Sequence, residues 1–466
     1  MSVGVLVVSY GSRAASMVDA LMRSSHDVDL YIADKQKNPF NAEHAKEHAI
    51  IPDLSVQKIA EFAAKHKNEI EFGLVGSEAP IIAGVRDTVY EKTGITMLCP
   101  TREYAIEESK LAQRILLDEC YPTANPRYKA FDPVKNGSYA DVEKNVINWF
   151  EELDHQVVVK PDKPGFGKGV GVWGDHYDTQ KDFLEYFRSN YESGATIIEE
   201  KINGEESSFQ AFCDGKTLVP LPDTRDYKRA FDGDIGPNTG GMGSYSDTSD
   251  KLPFMSARDR EMGEAVAWKI FARLRGDERN EGLLGMPFYF AFMHTKGEPK
   301  ILEINSRPGD PECMNVMVGL DSDFVDVCYA MLEGKLKKVK MKPKATVVTY
   351  KVPPTYGGFD KKYPRKVAEK EVGGIVDLNG AYELVEKTGG AIRVYPGSME
   401  IREDGIHSLK SRAVACVGLG DSIEAARENS LKGLSAIKGG ALWHRSDVAS
   451  ASHIKKSVEH MNSLRC

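Results

Sequence analysis

Cysteine is sparse in this chain and unpatterned: seven occur among 466 residues, at positions 99, 120, 213, 313, 328, 416 and 466. With no CxxC pair and no histidine cluster at ligand spacing, a disulfide framework and a structural zinc site are excluded, and a reducing compartment is expected. Long apolar runs are also missing, since no stretch approaches the ~20 residues that span a bilayer. There is no basic excess: 61 Lys and Arg stand against 69 Asp and Glu, a net charge of −8. A nucleic-acid binder would normally show a basic face, so nucleic acid is excluded as a main partner. The first residues lack a basic n-region and a cleavage site, so Val3–Val8 reads as a core strand rather than a signal peptide. Neither an internal repeat nor a low-complexity tract occurs. What remains is an ordinary globular composition, 41% hydrophobic and 28% charged. These features predict a cytoplasmic protein of about two to four domains, monomeric or homodimeric, with no membrane partner.

Glycine, by contrast, is concentrated. Residues 225–246 contain Gly233, Gly236, Gly240, Gly241 and Gly243. Glycine weakens regular helix and strand, but it lets backbone N–H groups approach a charged ligand with no Cβ in the way. Arg225, Lys228 and Arg229 stand just upstream, with Asp226 between them, and give the segment the means to hold an anion.

The first hundred residues alternate strand and helix. Val3–Val8, Val28–Ala33 and Phe72–Val75 read as parallel strands, with helices around Ala14–Ser24 and Val56–His66. Their carboxyl-end loops, Gly11-Ser12-Arg13 and Gly76-Ser77-Glu78-Ala79-Pro80, belong where open α/β sheets bind ligands. The pattern turns helical after Pro100-Thr101 and becomes α+β from about 125. A basic, proline-containing stretch at 337–344 reads as a linker. The division expected is an N-terminal Rossmann-like α/β domain over 1–100 and a central domain over 101–336, with a lid at about 125–200. A β-rich C-terminal domain over 345–439 and a polar, partly helical tail over 440–466 complete it.

Several motifs carry chemistry. Gly165–Gly171, with Lys168 inside it, lacks the spacing of a phosphate loop but suits a hinged lid over a triphosphate. Lys160 ends the apolar run Val157–Val159, where a lysine is costly unless it meets an anion. Lys110, on a helix after the first domain, could approach the same anion. The extended run through Glu199, Glu200 and Ile202 can offer backbone groups to a purine edge, and Glu206 can accept from ribose hydroxyls. In Glu303-Ile304-Asn305-Ser306-Arg307-Pro308-Gly309-Asp310, strand periodicity puts Glu303 and Asn305 on one face. A carboxylate beside an amide oxygen suits Mg²⁺, and Arg307 further along can brace a transferring phosphoryl group.

Taken in order, Lys160, GFGKGVGV, EEKINGEES, RDYKRAFDGDIGPNTGGMGSYS and ExNxRxGDPE resemble the ATP-grasp superfamily. Within it they are similar to the phosphoribosylamine–glycine ligase family, as are GSEAP at 76–80 and the Ser109-Lys110 pair. The likeness runs from the first strand to about residue 435. It implies ATP-dependent ligation of glycine to 5-phosphoribosylamine through an acyl phosphate, in purine biosynthesis, with Mg²⁺ or Mn²⁺. It places Lys110, Lys160 and Lys168 at the ATP phosphates, Glu199, Glu200 and Ile202 around adenine, and Glu206 on the ribose. Glu303 and Asn305 would hold the metal, and Arg307 would steady the acyl phosphate. Asp226, Lys228, Arg229, Asn238, Thr239, Gly240, Gly241 and Asp310 would receive glycine and the sugar phosphate, with Arg13 and Glu78 lining the phosphoribosylamine side.

Three positions depart from the family pattern. The first turn, usually GxGGREHA, keeps Arg13 but follows it with Ala14 and Ala15. The usual DHKR is DYKR, with Tyr227 in the histidine's place. Phe290 stands where a second metal ligand can occur. The altered first turn motivates an alternative, a related ATP-grasp ligase that uses a different amine.

Overall fold

Every residue of Val3–Val8 is buried, and the strand is the middle member of a parallel sheet. The order is Glu47–Ile50, Val28–Asp34, Val3–Val8, Phe72–Val75, Thr96–Leu98. Alternation along it feeds two cores: Leu6 and Val8 pack with Ile59, Ala60 and Val85, whereas Val5 and Val7 pack with Leu21, Met317 and Phe324. The second core anchors this sheet to the central domain, because Met317 and Phe324 belong to the helices Glu312–Gly319 and Phe324–Leu332. The short edge strands Glu47–Ile50 and Thr96–Leu98 carry little apolar periodicity and were not predicted from the sequence. The computed structural model describes residues 2–164, 169–356 and 373–466.

A four-stranded antiparallel sheet follows, in the order Tyr128–Phe131, Thr196–Glu200, Val157–Pro161, Gly171–Val172. Helices Tyr139–Glu152 and Gln180–Ser193 cover it, with Phe150 stacked on Phe183 at 4.5 Å between ring centres. The next sheet runs Leu218–Pro220, Glu205–Asp214, Tyr289–His294, Lys300–Asn305. Helix Ala257–Arg275, opened by the Ser256/Asp259 capping box, buries Ile270 and Phe271 against Phe209, Phe290 and Phe292 of this sheet. Phe290 is thus a core residue.

Strand Lys300–Asn305 lies at the edge of its sheet, yet its backbone is not left open to pairing. From helix Lys110–Cys120, the Gln113 amide accepts from Ile304 N–H at 2.8 Å and donates to Ile304 C=O at 2.9 Å. Arg114 donates to the carbonyls of Ile301 and Leu302. Side chains from one helix therefore satisfy the strand edge and bring Lys110 alongside it.

The last sheet joins distant segments. Arg225–Asp226 and Gly243–Ser246, from the glycine-rich stretch, pair into Ala345–Lys351, Val414–Gly420 and Ile392–Pro396. The C-terminal region is not purely β: Asn379–Lys387 and Ile423–Ala436 are helices. Residues 440–466, read from the sequence as a polar, partly helical tail, include helix Ala451–Arg465, which buries His453, Ser457 and Met461. Its apolar positions Ile454, Val458, Met461 and Leu464 fall at helical spacing and pack with Tyr245, Phe254 and Val448.

Gln113→Leu keeps the side-chain volume but leaves the Ile304 N–H and C=O without partners. A loss of about 2–6 kcal/mol is expected in urea unfolding, at roughly 1–3 kcal/mol per unsatisfied buried group.

Candidate active site

Strand alternation places Glu303 and Asn305 on one face, and the Asn305 amide donates to Glu303 Oε1 at 3.3 Å. Burial pushes the Glu303 carboxyl up, but Lys228, Lys110 and Lys160 more than offset this and hold it below its ordinary value. Three lysines from separate segments therefore act electrostatically on one carboxylate, with no ion pair to it among the described residues. Lys160 Nζ lies 2.7 Å from Glu199 Oε2 and donates to the Leu302 carbonyl at 2.9 Å. Its pKa is lowered by burial, against the opposing pull of Glu199. Arg114 Nε approaches the other Glu199 oxygen at 2.8 Å, so that carboxylate is fully enclosed in a triad. Lys110 Nζ reaches the Lys163 carbonyl at 3.4 Å. Lys228 pairs with Glu206, and although burial disfavours its charge, Glu206, Asp226 and Glu303 raise its pKa.

On the other side, the first turns of helices Gly11–Met22 and Glu78–Ile82, where the sequence suggested loops, meet the end of the same strand. Arg13 Nη2 lies 3.4 Å from Glu78 Oε2, Arg307 Nε lies 3.6 Å from that oxygen, and Arg307 Nη2 lies 3.2 Å from Glu107. Arg13 also donates to the Pro308 carbonyl. Burial alone would raise the Glu78 carboxyl, yet Arg307 and Arg13 bring it down to about 2. Glu107 shifts the other way: burial outweighs Arg307 and pushes it up.

The glycine-rich segment closes the site. Asp226 is half-buried with its Oδ1 enclosed, and that oxygen has no hydrogen-bond partner among the described residues. Burial and the nearby Glu312 carboxylate raise its pKa well above the ordinary value. Gly241, at φ +102°, is required here, since a Cβ would fall 2.5 Å from Asp226 Oδ1. Arg229–Phe231 and Ile235–Asn238 form a hairpin in which Asn238 pairs with Arg229. Thr239 Oγ1 donates to the Lys228 carbonyl at 3.0 Å. From the C-terminal region, Arg412 donates to the carbonyls of Gly240 and Asp310 and pairs with the Asp310 carboxylate at 2.9 Å. Tyr350 donates to the same carboxylate at 2.8 Å, and Gly240 N–H donates to Tyr356 Oη.

The structure thus brings together Lys110, Lys160, Lys228, Glu206, Glu303, Asn305 and Arg307 with Arg13, Glu78, Asp226, Gly240, Gly241 and Asp310. Others point elsewhere. Arg225, read as part of an anion-holding group, is taken up by Glu205 and Ser457. Glu200 pairs with Arg127 at 2.9 Å, and Arg229 with Asp175. The Glu199 side chain is committed to Arg114 and Lys160, and its backbone lies on an interior strand opposite Tyr128 and Val158; half-buried Ile202 follows the end of that strand. Lys168 lies outside the described residues. Sequence reasoning missed Glu107, Arg114, Glu312 and Arg412. Glu312 ends the NSRPGDPE run and was the one signal on hand; Arg412 sits in Lys410-Ser411-Arg412, which carries no motif.

Residues 3–108 match the family model described as phosphoribosylglycinamide synthetase, N domain, and residues 121–313 the model for its ATP-grasp (A) domain. The phosphoribosylamine–glycine ligase of Methanosarcina barkeri is 35% identical over 464 residues, 99% of each chain. That of Methanobrevibacter smithii is 37% identical over 467 residues, again 99% of each. Among solved structures, Thermotoga maritima phosphoribosylamine–glycine ligase shares the fold with a TM-score of 0.72 at 21% identity, over 96% of this chain and 100% of that one. The biotin carboxylase domain of Hydrogenobacter thermophilus 2-oxoglutarate carboxylase, solved with MgADP, shares it with a TM-score of 0.66 at 14% identity, over 98% and 93%.

Because the Glu78 pKa is depressed from 4.5 to about 2, its contribution to stability is present above about pH 4.5 and is lost as pH falls toward 2. Glu78→Gln should therefore cost up to about 3 kcal/mol at neutral pH, and the gap from the parent should narrow between pH 4.5 and 2. Urea unfolding across that range measures it.

Proposed function

This chain belongs to the phosphoribosylamine–glycine ligase family, and we propose that its site joins glycine to 5-phosphoribosylamine through glycyl phosphate, using ATP. A glycine carboxylate oxygen attacks the γ-phosphorus and the bond to the β-phosphate oxygen breaks, releasing ADP. The phosphoribosylamine nitrogen then attacks the acyl carbon. The carbon–oxygen bond breaks with its electron pair leaving on phosphate, and the nitrogen gives up a proton, yielding glycinamide ribonucleotide.

The observation that supports this reading best is the convergence of Lys110, Lys160 and Lys228 around Glu303, facing the Arg13–Glu78–Arg307 group. Lys160 and Lys228 pair with Glu199 and Glu206, while Lys110 makes no ion pair among the described residues and reaches only a carbonyl, so a triphosphate would supply the anion that Lys110 lacks. Little covalent chemistry is asked of the protein; its share is positioning and charge neutralisation. Lys110 and Lys160 would hold the phosphates, with Lys168 as an expected third. The backbone of Glu199 to Ile202 would frame adenine, and Glu206 would accept from the ribose. Arg307 would brace the acyl phosphate with its forked donors. Asp226, with its unpartnered oxygen, Lys228 and the Asn238–Gly241 loop would receive glycine, while Arg13 and Glu78 would face the amine substrate.

Glu303 and Asn305 fit a divalent cation, since both offer hard oxygen donors on one strand face; magnesium is favoured, with manganese the alternative. When bound, such an ion would neutralise charge on the phosphate oxygens. The same amine is favoured over a different one by Arg13 and Glu78, which remain paired beside the altered first turn. Ala14 and Ala15 are fully buried, and Ala15 packs on Met242, Met314 and Tyr350, so neither has a side chain in the site.

ADP release with Mg²⁺-ATP and glycine should require freshly generated phosphoribosylamine; release with another amine but not with this one would overturn the reading. Glu303→Gln should lower turnover about 10²–10³-fold, as when one electrostatic stabiliser is lost, and near-normal rates would sink the metal assignment. Arg13→Ala should raise KM for the amine and leave those for ATP and glycine largely unchanged.

A further inference from the structure

The segment from Trp443 to Arg465 has no part in the chemistry above, yet it grips the hairpin that follows Lys228. Arg445 is its centre. The side chain is completely buried, and its Nε and Nη2 bond the Asp447 carboxylate at 2.8 and 2.7 Å. Its Nη1 meets Asp234 Oδ1 at 3.0 Å and donates to the Arg229 carbonyl at 2.8 Å, while the guanidinium lies 5.0 Å above the Tyr227 ring. Neighbouring residues hold the same hairpin tip. Ser446 donates to Asp232 from its backbone and its hydroxyl, Gly233 N–H donates to Asp447, and His453 pairs with Asp234 at 2.7 Å. Ala449 N–H donates to Tyr227 Oη at 2.8 Å, so the tyrosine that replaces the family's usual histidine is bound into this contact.

Such a hold is needed. The hairpin is a two-stranded sheet with an irregular register, its turn contains Asp234 at φ +57°, and an isolated hairpin of this kind is marginal in water. Lys228 immediately precedes its first strand. We propose that Arg445 is a positioning residue for the ligation: it fixes the hairpin turn and the Arg229 carbonyl, and thereby sets where the Lys228 ammonium stands in the site. A planar fork with several donors suits this task because it can bind a carboxylate in two places and still reach a carbonyl. The proposal rests on the reading of Lys228 as a substrate-facing group.

The test is a cycle of Arg445→Ala, Lys228→Ala and the double variant in the full chain, each checked for a cooperative melt and assayed for kcat and for KM of ATP, glycine and phosphoribosylamine. Arg445→Lys, which keeps the charge and loses the fork, replaces the alanine variant if that one does not fold. Displacement of a positioned group should cost Arg445→Ala about 10- to 100-fold in kcat/KM for glycine, with KM for ATP little changed. The double variant should be no worse than Lys228→Ala, since the two changes disable the same group. A folded Arg445 variant with parental kinetics would overturn the proposal. So would losses that multiply in the double variant, which would mean that Arg445 acts elsewhere. Parental activity in Lys228→Ala would remove the reading of Lys228 first, and the proposal with it.

Discussion

Like charges held close together out of water are the constraint on which this molecule is built. Lys110, Lys160 and Lys228 approach one another around Glu303, and Arg13 approaches Arg307 across Glu78. Each group is tolerable because a carboxylate sits between its cations, and because hydrogen bonds to backbone carbonyls satisfy the remaining donors. Lys110 alone of the three lysines makes no ion pair among the described residues, and a polyphosphate is a substrate that would supply its missing anion.

The fold serves this arrangement by bringing charges from segments far apart in sequence. Helix Lys110–Cys120 satisfies an edge strand with Gln113 and Arg114, and in doing so delivers Lys110 to Glu303. The Arg114–Glu199–Lys160 triad welds the lid sheet to the same strand. Glu78 and Arg13 stand in the first turns of helices Glu78–Ile82 and Gly11–Met22, which follow the carboxyl ends of strands in the first parallel sheet, a general location for ligands in such sheets. The C-terminal region contributes Arg412, which pins Gly240 and Asp310, so no single domain holds a complete site.

Much of this was legible because periodicity and motif coincide. Val3–Val8 reads as a buried strand, and the alternation that puts Glu303 beside Asn305 appears in the hydrogen bond between them. What escaped was what depends on three-dimensional pairing. Arg225 looks like an anion holder beside Lys228, but strand geometry turns it toward Glu205 and helix Ala451–Arg465. Glu107 and Arg412 stand in segments without motif, and only their burial against Arg307 and Asp310 marks them. The final helix carries a periodic apolar face, Ile454, Val458, Met461 and Leu464, but Asp234, which pairs with His453 and with the preceding Arg445, lies 219 residues from His453 and no local pattern names it.

The central claim is that glycine is activated as an acyl phosphate before the amine attacks. Glycine labelled with ¹⁸O in its carboxylate tests this most directly, by mass analysis of the phosphate released during turnover with ATP and phosphoribosylamine. The account predicts ¹⁸O in that phosphate, because the carboxylate oxygen that accepts the phosphoryl group departs with it. Phosphate that stays unlabelled while glycinamide ribonucleotide accumulates would contradict it.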